Sequence, residues 1–505
     1  MIENLQITKS LNRKWADEPI NRCWNSCQDA HGCLNWGVPG ISLLKQLSTL
    51  QFLFHPSPCR VLSRLVVLAA VGAGIFFLPQ ARAYAQGSQP DDAGAGERWN
   101  AHAQATVVLQ THGPFKSPYF GVNSLQARRE SRASLTTTFF LGLKLRKGLE
   151  LYVNPEVAGG KGLSGVTGLA SFPNGEITRV TSPTPKPYLG RAFIRQTWGW
   201  GTRTEAFEGA PNQLAGQQPV SRATLTFGKM SVTDIFDANT YSHDPRTQFL
   251  NWALMDNGAF DYPADTRGYT WGAVLELNQP GWAARLGSFL VSKEANGMAL
   301  DRHFRRNNGE VAEVEVRPAP FGQPGKVKLL AYVNHANMGT YRQALLQSPT
   351  NPDVTSTRRS DTAKYGFGLN VEQSLRADLG AFLRVGWNDG KTETWEFTEI
   401  DRTFQAGVQW KGATWRRTQD VVGVAWVVNG LSPAHRDYLA AGGHGYILGD
   451  GRLNYSRERI LEAYYAWNLL PMFTLTVDYQ FAANPGYNRD RGPVSIWGFR
   501  LHWER

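Results

Sequence analysis

Hydrophobic and polar residues alternate with a period of two along the last stretches of the chain. In Val494–Trp503, the residues Trp497, Phe499, Leu501 and Trp503 alternate with Gly498, Arg500 and His502. In the stretch before it, Phe473, Leu475, Val477, Tyr479 and Phe481 share a face opposite Thr474, Thr476, Asp478 and Gln480. Successive side chains of a strand point to opposite faces, so each segment reads as a strand with one apolar and one polar face. A soluble sandwich also alternates, but its apolar face is mostly aliphatic and has no reason to gather rings at strand ends. Aromatic rings at the ends of an apolar band, opposite a polar face, are what a transmembrane β-barrel needs, with lipid outside and water inside.

The same reading applied from the N-terminal side predicts an all-β, antiparallel transmembrane barrel of about sixteen strands. Asn100–Gln110, Leu135–Leu145, Glu150–Val157, Arg191–Thr204, Arg222–Lys229, Thr266–Leu277 and Ala283–Val291 come first. Glu310–Arg317, Lys326–Met338, Thr362–Gln373, Asp378–Trp387, Thr403–Trp410, Val421–Val428 and Arg459–Trp467 lead to the final pair. Short links such as Asn278–Gly281, Ser374–Ala377 and Asn468–Pro471 alternate with long ones such as Ala158–Gly190, Met230–Asp265 and Asn429–Ser456. Short periplasmic turns and long external loops on opposite ends give that alternation.

Composition limits the alternatives. The 505 residues include 51 Gly, 17 Trp, 17 Tyr and 25 Phe, and their mean hydropathy is mildly negative, too polar for a helical membrane protein. The longest apolar run, Leu65–Pro79, is short for a spanning helix but suits a signal-peptide core. Arg60 and Arg64 precede it, and Ala81-Arg82-Ala83-Tyr84-Ala85 offers small residues for cleavage. We therefore read residues 61–85 as a signal peptide and 1–60 as an extension from a start site assigned too far upstream. Residues 86–98 then form a polar, loose leader and 99–505 the barrel. Cys23, Cys27, Cys33 and Cys59 all precede the cleavage site, so the exported chain has no thiol. From residue 86 onward 45 Lys/Arg stand against 38 Asp/Glu, a net of +7, which argues against a nucleic-acid partner.

Three blocks carry a family resemblance. Leu225–Ala273 (LTFGKMSVTDIFDANTYSHDPRTQFLNWALMDNGAFDYPADTRGYTWGA), Leu151–Glu176 (LYVNPEVAGGKGLSGVTGLASFPNGE) and Ala482–His502 (AANPGYNRDRGPVSIWGFRLH) resemble the OprB-type carbohydrate-selective porins, over essentially Trp99–Trp503. Glu504 and Arg505 follow Trp503, where such barrels usually end on an aromatic residue. The resemblance implies a sixteen-stranded channel of the bacterial outer membrane. It would pass monosaccharides such as glucose through a constriction lined by charged and aromatic side chains, with no cofactor.

Alternation selects the candidates for that constriction. Tyr152, Asn154 and Glu156 face the lumen if Leu151, Val153 and Val157 face lipid. Arg191 and Arg195 share the inner face of the next segment with Thr197, and Phe193 interrupts its polarity. Arg222, Thr224 and Thr226 repeat the pattern, and Arg384, Glu462 and Arg500 are further charges on inner faces. Glu156 and Arg195 rank first, Glu156 as acceptor and Arg195 as donor to sugar hydroxyls, with Tyr152 as the ring against which a pyranose packs. The long connection Met230–Asp265 adds Asp234, Asp244 and Arg246, either as sugar contacts or as pins that hold the loop, with Trp252 packing it on the wall. No metal-ligand spacing appears there. The expected partners are carbohydrate solutes and outer-membrane lipid, and a homotrimer stays open because an apolar outer face suits lipid or a neighbouring barrel equally. Two other readings stand beside this one: a soluble secreted glycan-binding β-protein, and an outer-membrane barrel enzyme. The second finds little support, since the ten His are scattered and GxSxG is absent.

Overall fold

The computed structural model describes residues 96–177 and 182–505. The segments expected as extension (1–60) and signal peptide (61–85), the four cysteines and most of the expected leader (86–98) lie outside those residues. Sixteen strands follow one another in order. They are β1 (Trp99–His112), β2 (Glu130–Arg146), β3 (Leu149–Gly160), β4 (Lys186–Phe207), β5 (Gly216–Met230), β6 (Thr270–Asn278), β7 (Trp282–Phe289) and β8 (Asn308–Val316). Then come β9 (Gly325–Met338), β10 (Arg359–Arg376), β11 (Leu379–Asn388), β12 (Arg402–Gly412), β13 (Arg417–Gly430), β14 (Glu458–Leu470), β15 (Phe473–Ala483) and β16 (Val494–Glu504). Each pairs antiparallel with its neighbours, and β1 pairs with β16, with Val107 opposite Leu501. Closure leaves no strand edge, so every wall peptide group can bond within the sheet, as hydrocarbon requires.

Side chains obey the predicted alternation. On β15 and β16, Val477, Trp497, Phe499 and Leu501 are 40–47% exposed while Thr476, Asp478 and Arg500 are fully buried. Outward rings collect at both rims: Trp99, Trp198, Trp200 and Trp282 at one, and Trp271 with the packed pair Tyr479–Trp497, 4.8 Å between ring centres, at the other. Links of two to eight residues join the strands at the first rim, and longer loops join them at the second. Among the described residues no helix is long and apolar enough to cross a membrane; the crossing is made by strands.

The predicted elements differ from the observed ones mainly at their ends. The strand expected from Thr266 starts at Thr270, because Asp265 accepts from the backbone N–H of Arg267 (2.9 Å) and Tyr269 (3.2 Å) and holds a turn there. The end of the leader is tied down: Glu97 N–H donates to the Ala215 carbonyl (2.9 Å) and its carboxylate accepts from Ala215 N–H (2.8 Å).

The packed apolar interior lies inside the barrel. Residues 231–269, between β5 and β6, fold into the lumen and carry the short helix α1 (Trp252–Met255). Above them, α2 (Tyr341–Gln347) and α3 (Pro433–Ala440) pack through Tyr341 and Tyr438 into one cluster with Phe249, Leu254, Ile400, Ile447 and Tyr487. Ser432 caps α3 by accepting from His435 N–H (3.1 Å), and Pro433 occupies its first turn.

Candidate functional site

The inner wall from β8 to β16 holds the 231–269 loop by buried charges. Arg384 on β11 donates to the carbonyls of Ser242 (2.7 Å) and Leu254 (3.1 Å) and faces the Asp237 carboxylate at 3.1 Å. Glu462 on β14 accepts from the N–H groups of Leu250 (2.6 Å) and Asn251 (3.0 Å). Arg500 on β16 donates to the carbonyls of Pro245 (2.6 Å) and Gln248 (2.7 Å). Lys364 on β10 pairs with Asp261 at 2.9 Å, and Glu372 accepts from Thr240 N–H (2.7 Å). The loop has no sheet partners for its backbone, so these side chains satisfy groups that would otherwise be buried unpaired. Arg384, Glu462 and Arg500, expected on alternation as pore-lining charges, are thus consumed in fixing the loop and are fully buried.

The loop leaves open a cavity of about 530 Å³ against β1–β4. Glu156, Tyr188 and Arg191 line it from the wall, Glu176 from the 161–185 loop, and Asp234, Asp244, Arg246 and Tyr269 from the inserted loop. Arg191 grips Asp234 with two parallel bonds of 2.6 Å, and its guanidinium lies 5.1 Å from the Tyr269 ring centre. Arg246 donates to Glu176 (3.0 Å) and lies 3.6 Å from Glu156. Glu156 also accepts from Thr138 Oγ1 and the Tyr269 hydroxyl, both at 3.0 Å, and from the Tyr188 hydroxyl. Arg267 lays its guanidinium 4.1 Å above the Tyr188 ring. Asp244 accepts from Arg246 N–H (3.0 Å) and Thr247 Oγ1 (3.2 Å).

Electrostatics favour the ionised form of three of the loop's charged groups, Asp234, Asp244 and Arg246. Burial pushes the Asp234 carboxyl up, but the Arg191 guanidinium outweighs it and holds the group below the usual range. Asp244 is held low in the same way, against burial, by Arg246. Arg246 itself is lifted despite burial by Glu176 and Glu156. The result is a water-facing passage with fixed donors and acceptors of both signs beside tyrosine rings. Among the described residues no group of three or more His, Cys, Asp or Glu is placed to hold a metal ion.

The model of the carbohydrate-selective porin family OprB matches residues 131–504. The chain belongs to that family. It is an outer-membrane channel for carbohydrates, in a family of porins and not of enzymes. Among solved structures, OprB of Pseudomonas putida at high pH aligns with a TM-score of 0.62 at 16% identity, over 81% of this chain and 94% of that one. The outer-membrane channel DcaP of Acinetobacter baumannii aligns with a TM-score of 0.47 at 9% identity, over 82% of this chain and all of that one. At such identities the likeness to the first of these shows the fold. No curated protein matches the chain.

In this porin, five of the predicted site residues converge on the cavity: Glu156, Arg191, Asp234, Asp244 and Arg246. Tyr152, Asn154 and Arg195 do not line it. Tyr152 is fully buried, its hydroxyl donating to Glu150 (2.8 Å) and accepting from Leu214 N–H (3.3 Å), with Phe193 and the Arg195 guanidinium against its ring at 5.2 and 5.0 Å. Arg195 donates to the Asn212 carbonyl (3.0 Å), and Asn154 is fully buried. All three face inward as alternation requires, and the link between β4 and β5 packs over Tyr152 and Arg195. The residues that alternation missed are Tyr188, Tyr269, Arg267 and Glu176. Tyr188 points inward because the β3–β4 register shifts by one residue next to Pro155, placing Asn154 opposite Arg191 but Pro155 opposite Leu189; such a bulge reverses the parity of everything beyond it. Tyr269 is turned inward by the Asp265 turn, one residue before its strand begins.

Proposed function

We propose that the cavity between the inserted loop and β1–β4 is the selective constriction, and that it passes monosaccharides such as glucose. One observation carries this reading: two carboxylate-paired arginines, Arg191 and Arg246, stand beside the rings of Tyr188 and Tyr269 in a space of about 530 Å³. A pyranose offers C–H faces to rings and a rim of hydroxyls to donors and acceptors. Because each guanidinium is already paired, a sugar exchanges moderate bonds with several groups and leaves easily, as flux requires. The test is single-channel current in graded glucose. Arg191→Ala and Arg246→Ala should each weaken the sugar block, and a block unchanged in both variants would sink the assignment.

Two further readings belong to the same proposal. Association into a homotrimer through the apolar outer face would give a native mass of three chains in detergent. Residues 61–85 direct export, so a chain starting at Val61, with Met in its place, should reach the outer membrane as well as the full-length chain does.

A further inference from the structure

The link between β4 and β5, residues 208–215, lies at the short-link rim but does not stay there. It folds back across the inner faces of β4, β3, β2 and β1. The register of the hairpin shifts between Trp200 and Thr204, with Gly201 at φ 78°, and this irregularity bends it inward. Its tip is a closed unit in which Ala210 and Gln213 exchange two backbone bonds (3.0 and 2.9 Å) around Asn212 at φ 60°.

Four strands hold that tip. Asn100 on β1 donates to the Gln213 carbonyl (2.7 Å), Tyr152 on β3 accepts from Leu214 N–H (3.3 Å), and Arg195 on β4 donates to the Asn212 carbonyl (3.0 Å). The Leu214 side chain, 4% exposed, lies over Gly142 on β2. The approach is close: a Cβ on Gly142 would stand 2.5 Å from Asn100 Oδ1 and 3.2 Å from a Leu214 methyl. Pro211 reaches the cavity itself and forms part of its lining.

We propose that residues 208–215 form a second constriction, in series with the upper passage, on the route from the cavity to the periplasm. Tyr152 and Arg195 are positioning residues for it. Its chemistry is suited to sieving by size rather than to recognition, because the tip presents a proline and backbone groups already paired, whereas the upper passage presents charges and rings. The class of solute it limits is sugars larger than a single ring. This inference does not depend on the cavity binding glucose.

The experiment replaces residues 208–215 by Asn-Gly, whose backbone suits a tight hairpin, and compares channels that show the heat-modifiable mobility of a folded barrel. We expect higher single-channel conductance and a rise of about twofold or more in trisaccharide permeation relative to glucose in proteoliposomes. Unchanged conductance and permeation ratio in the folded variant would overturn the proposal. If these changes appear while wild type shows no glucose block, the sugar assignment of the cavity fails and this one stands. Should the shortened chain not fold, Pro211→Cys, with Cys23, Cys27, Cys33 and Cys59 replaced by Ser, gives a second measure. A charged thiol reagent added from the periplasmic side should cut the current stepwise, and full current through demonstrably labelled channels would overturn the proposal.

Discussion

The two halves of the inner wall carry similar residues and use them differently. From β8 to β16 two pairs that hold the loop are dry: the side chains of Arg384 and Asp237 are 0 and 2% exposed, and those of Lys364 and Asp261 the same. On the β1–β5 side two pairs are wet, with Arg191 and Asp234 at 13 and 31% and Arg222 and Glu205 at 12 and 42%. A dry pair whose remaining bonds go to loop carbonyls acts as a fastener, because removing one partner strands the other in low dielectric. A wet pair contributes little to stability but stays free to exchange bonds with a passing solute. Alternation along a strand tells which charges face inward. What separates fastener from contact is the path of the inserted loop.

The comparison is broken most severely by removing a fastener. Arg384→Ala leaves Asp237 buried without its cation and takes the donor from the Ser242 carbonyl, and loss of a buried partner of this kind costs about 3–5 kcal/mol. We expect a sharp drop in the unfolding temperature of the detergent-solubilised barrel and, in channels that still insert, larger and noisier current as the loop leaves its seat. Arg222→Ala on the wet side should change neither by a comparable amount. Similar losses from the two variants would remove the distinction between the walls.

The lipid face provides the next effect. Val477 points outward near the middle of β15, and Val477→Arg should cost about 2–4 kcal/mol of folded barrel, read from the fraction with heat-modifiable mobility. The inner face is not uniformly tolerant in return. Thr476 lies against Arg500, whose guanidinium donates to its hydroxyl at 3.1 Å, so an arginine there would collide with a fastener. Thr224 on the wet side is half-exposed, and Thr224→Arg should cost little.

This contrast shows how much was legible in the sequence. All sixteen strands and the alternation of short and long links were visible, because lipid outside and water inside impose a period of two over the whole barrel. Glu156 and Arg191 followed from the same period, and Asp234, Asp244 and Arg246 from the improbable length of their loop. Tyr188 was hidden because its strand was read as starting at Arg191, which left it in the predicted loop Ala158–Gly190, although the strand begins at Lys186 and a one-residue bulge turns Tyr188 inward; Tyr269 was hidden by a turn at the start of its strand, which resets the period locally. Tyr152 and Arg195 were read correctly as inward-facing, yet nothing local to them signals that residues 208–215 return to cover them. That contact spans 62 positions from Tyr152 to Leu214, and only the closed fold creates it.

Within the wet side, Arg191→Ala should weaken glucose block by roughly tenfold at most, since a hydrogen bond to a charged group is worth about 1.5–3 kcal/mol in a favourable site and less in a water-filled lumen. It should also lower anion preference, measured as the shift in reversal potential across a salt gradient. Tyr269→Phe keeps the ring but removes the bond to Glu156, so it should shift block less than Arg191→Ala does. The reverse order would place the recognition on the hydroxyl network and not on the guanidinium.

The smallest effect expected is the response to acid, and its sign follows from Asp234. Burial raises the carboxyl's pKa and the adjoining Arg191 lowers it further, leaving it below its unfolded value. A carboxylate of this kind stabilises the folded arrangement at every pH above the ordinary aspartate range, near pH 4, and that contribution disappears as the pH falls through the lowered folded value. The contribution of this pair to glucose block and ion selectivity should therefore hold steady from neutral pH down to about 4 and change only below it, when Arg191 is released from its partner. Asp234→Asn removes the pair at all pH values. Its channels should show raised anion preference already at neutral pH and no further step on acidification below 4 that can be traced to this pair. An acid step of equal size in the variant and in the wild type would assign the response to other carboxylates, with Asp244, also held low, the first to replace.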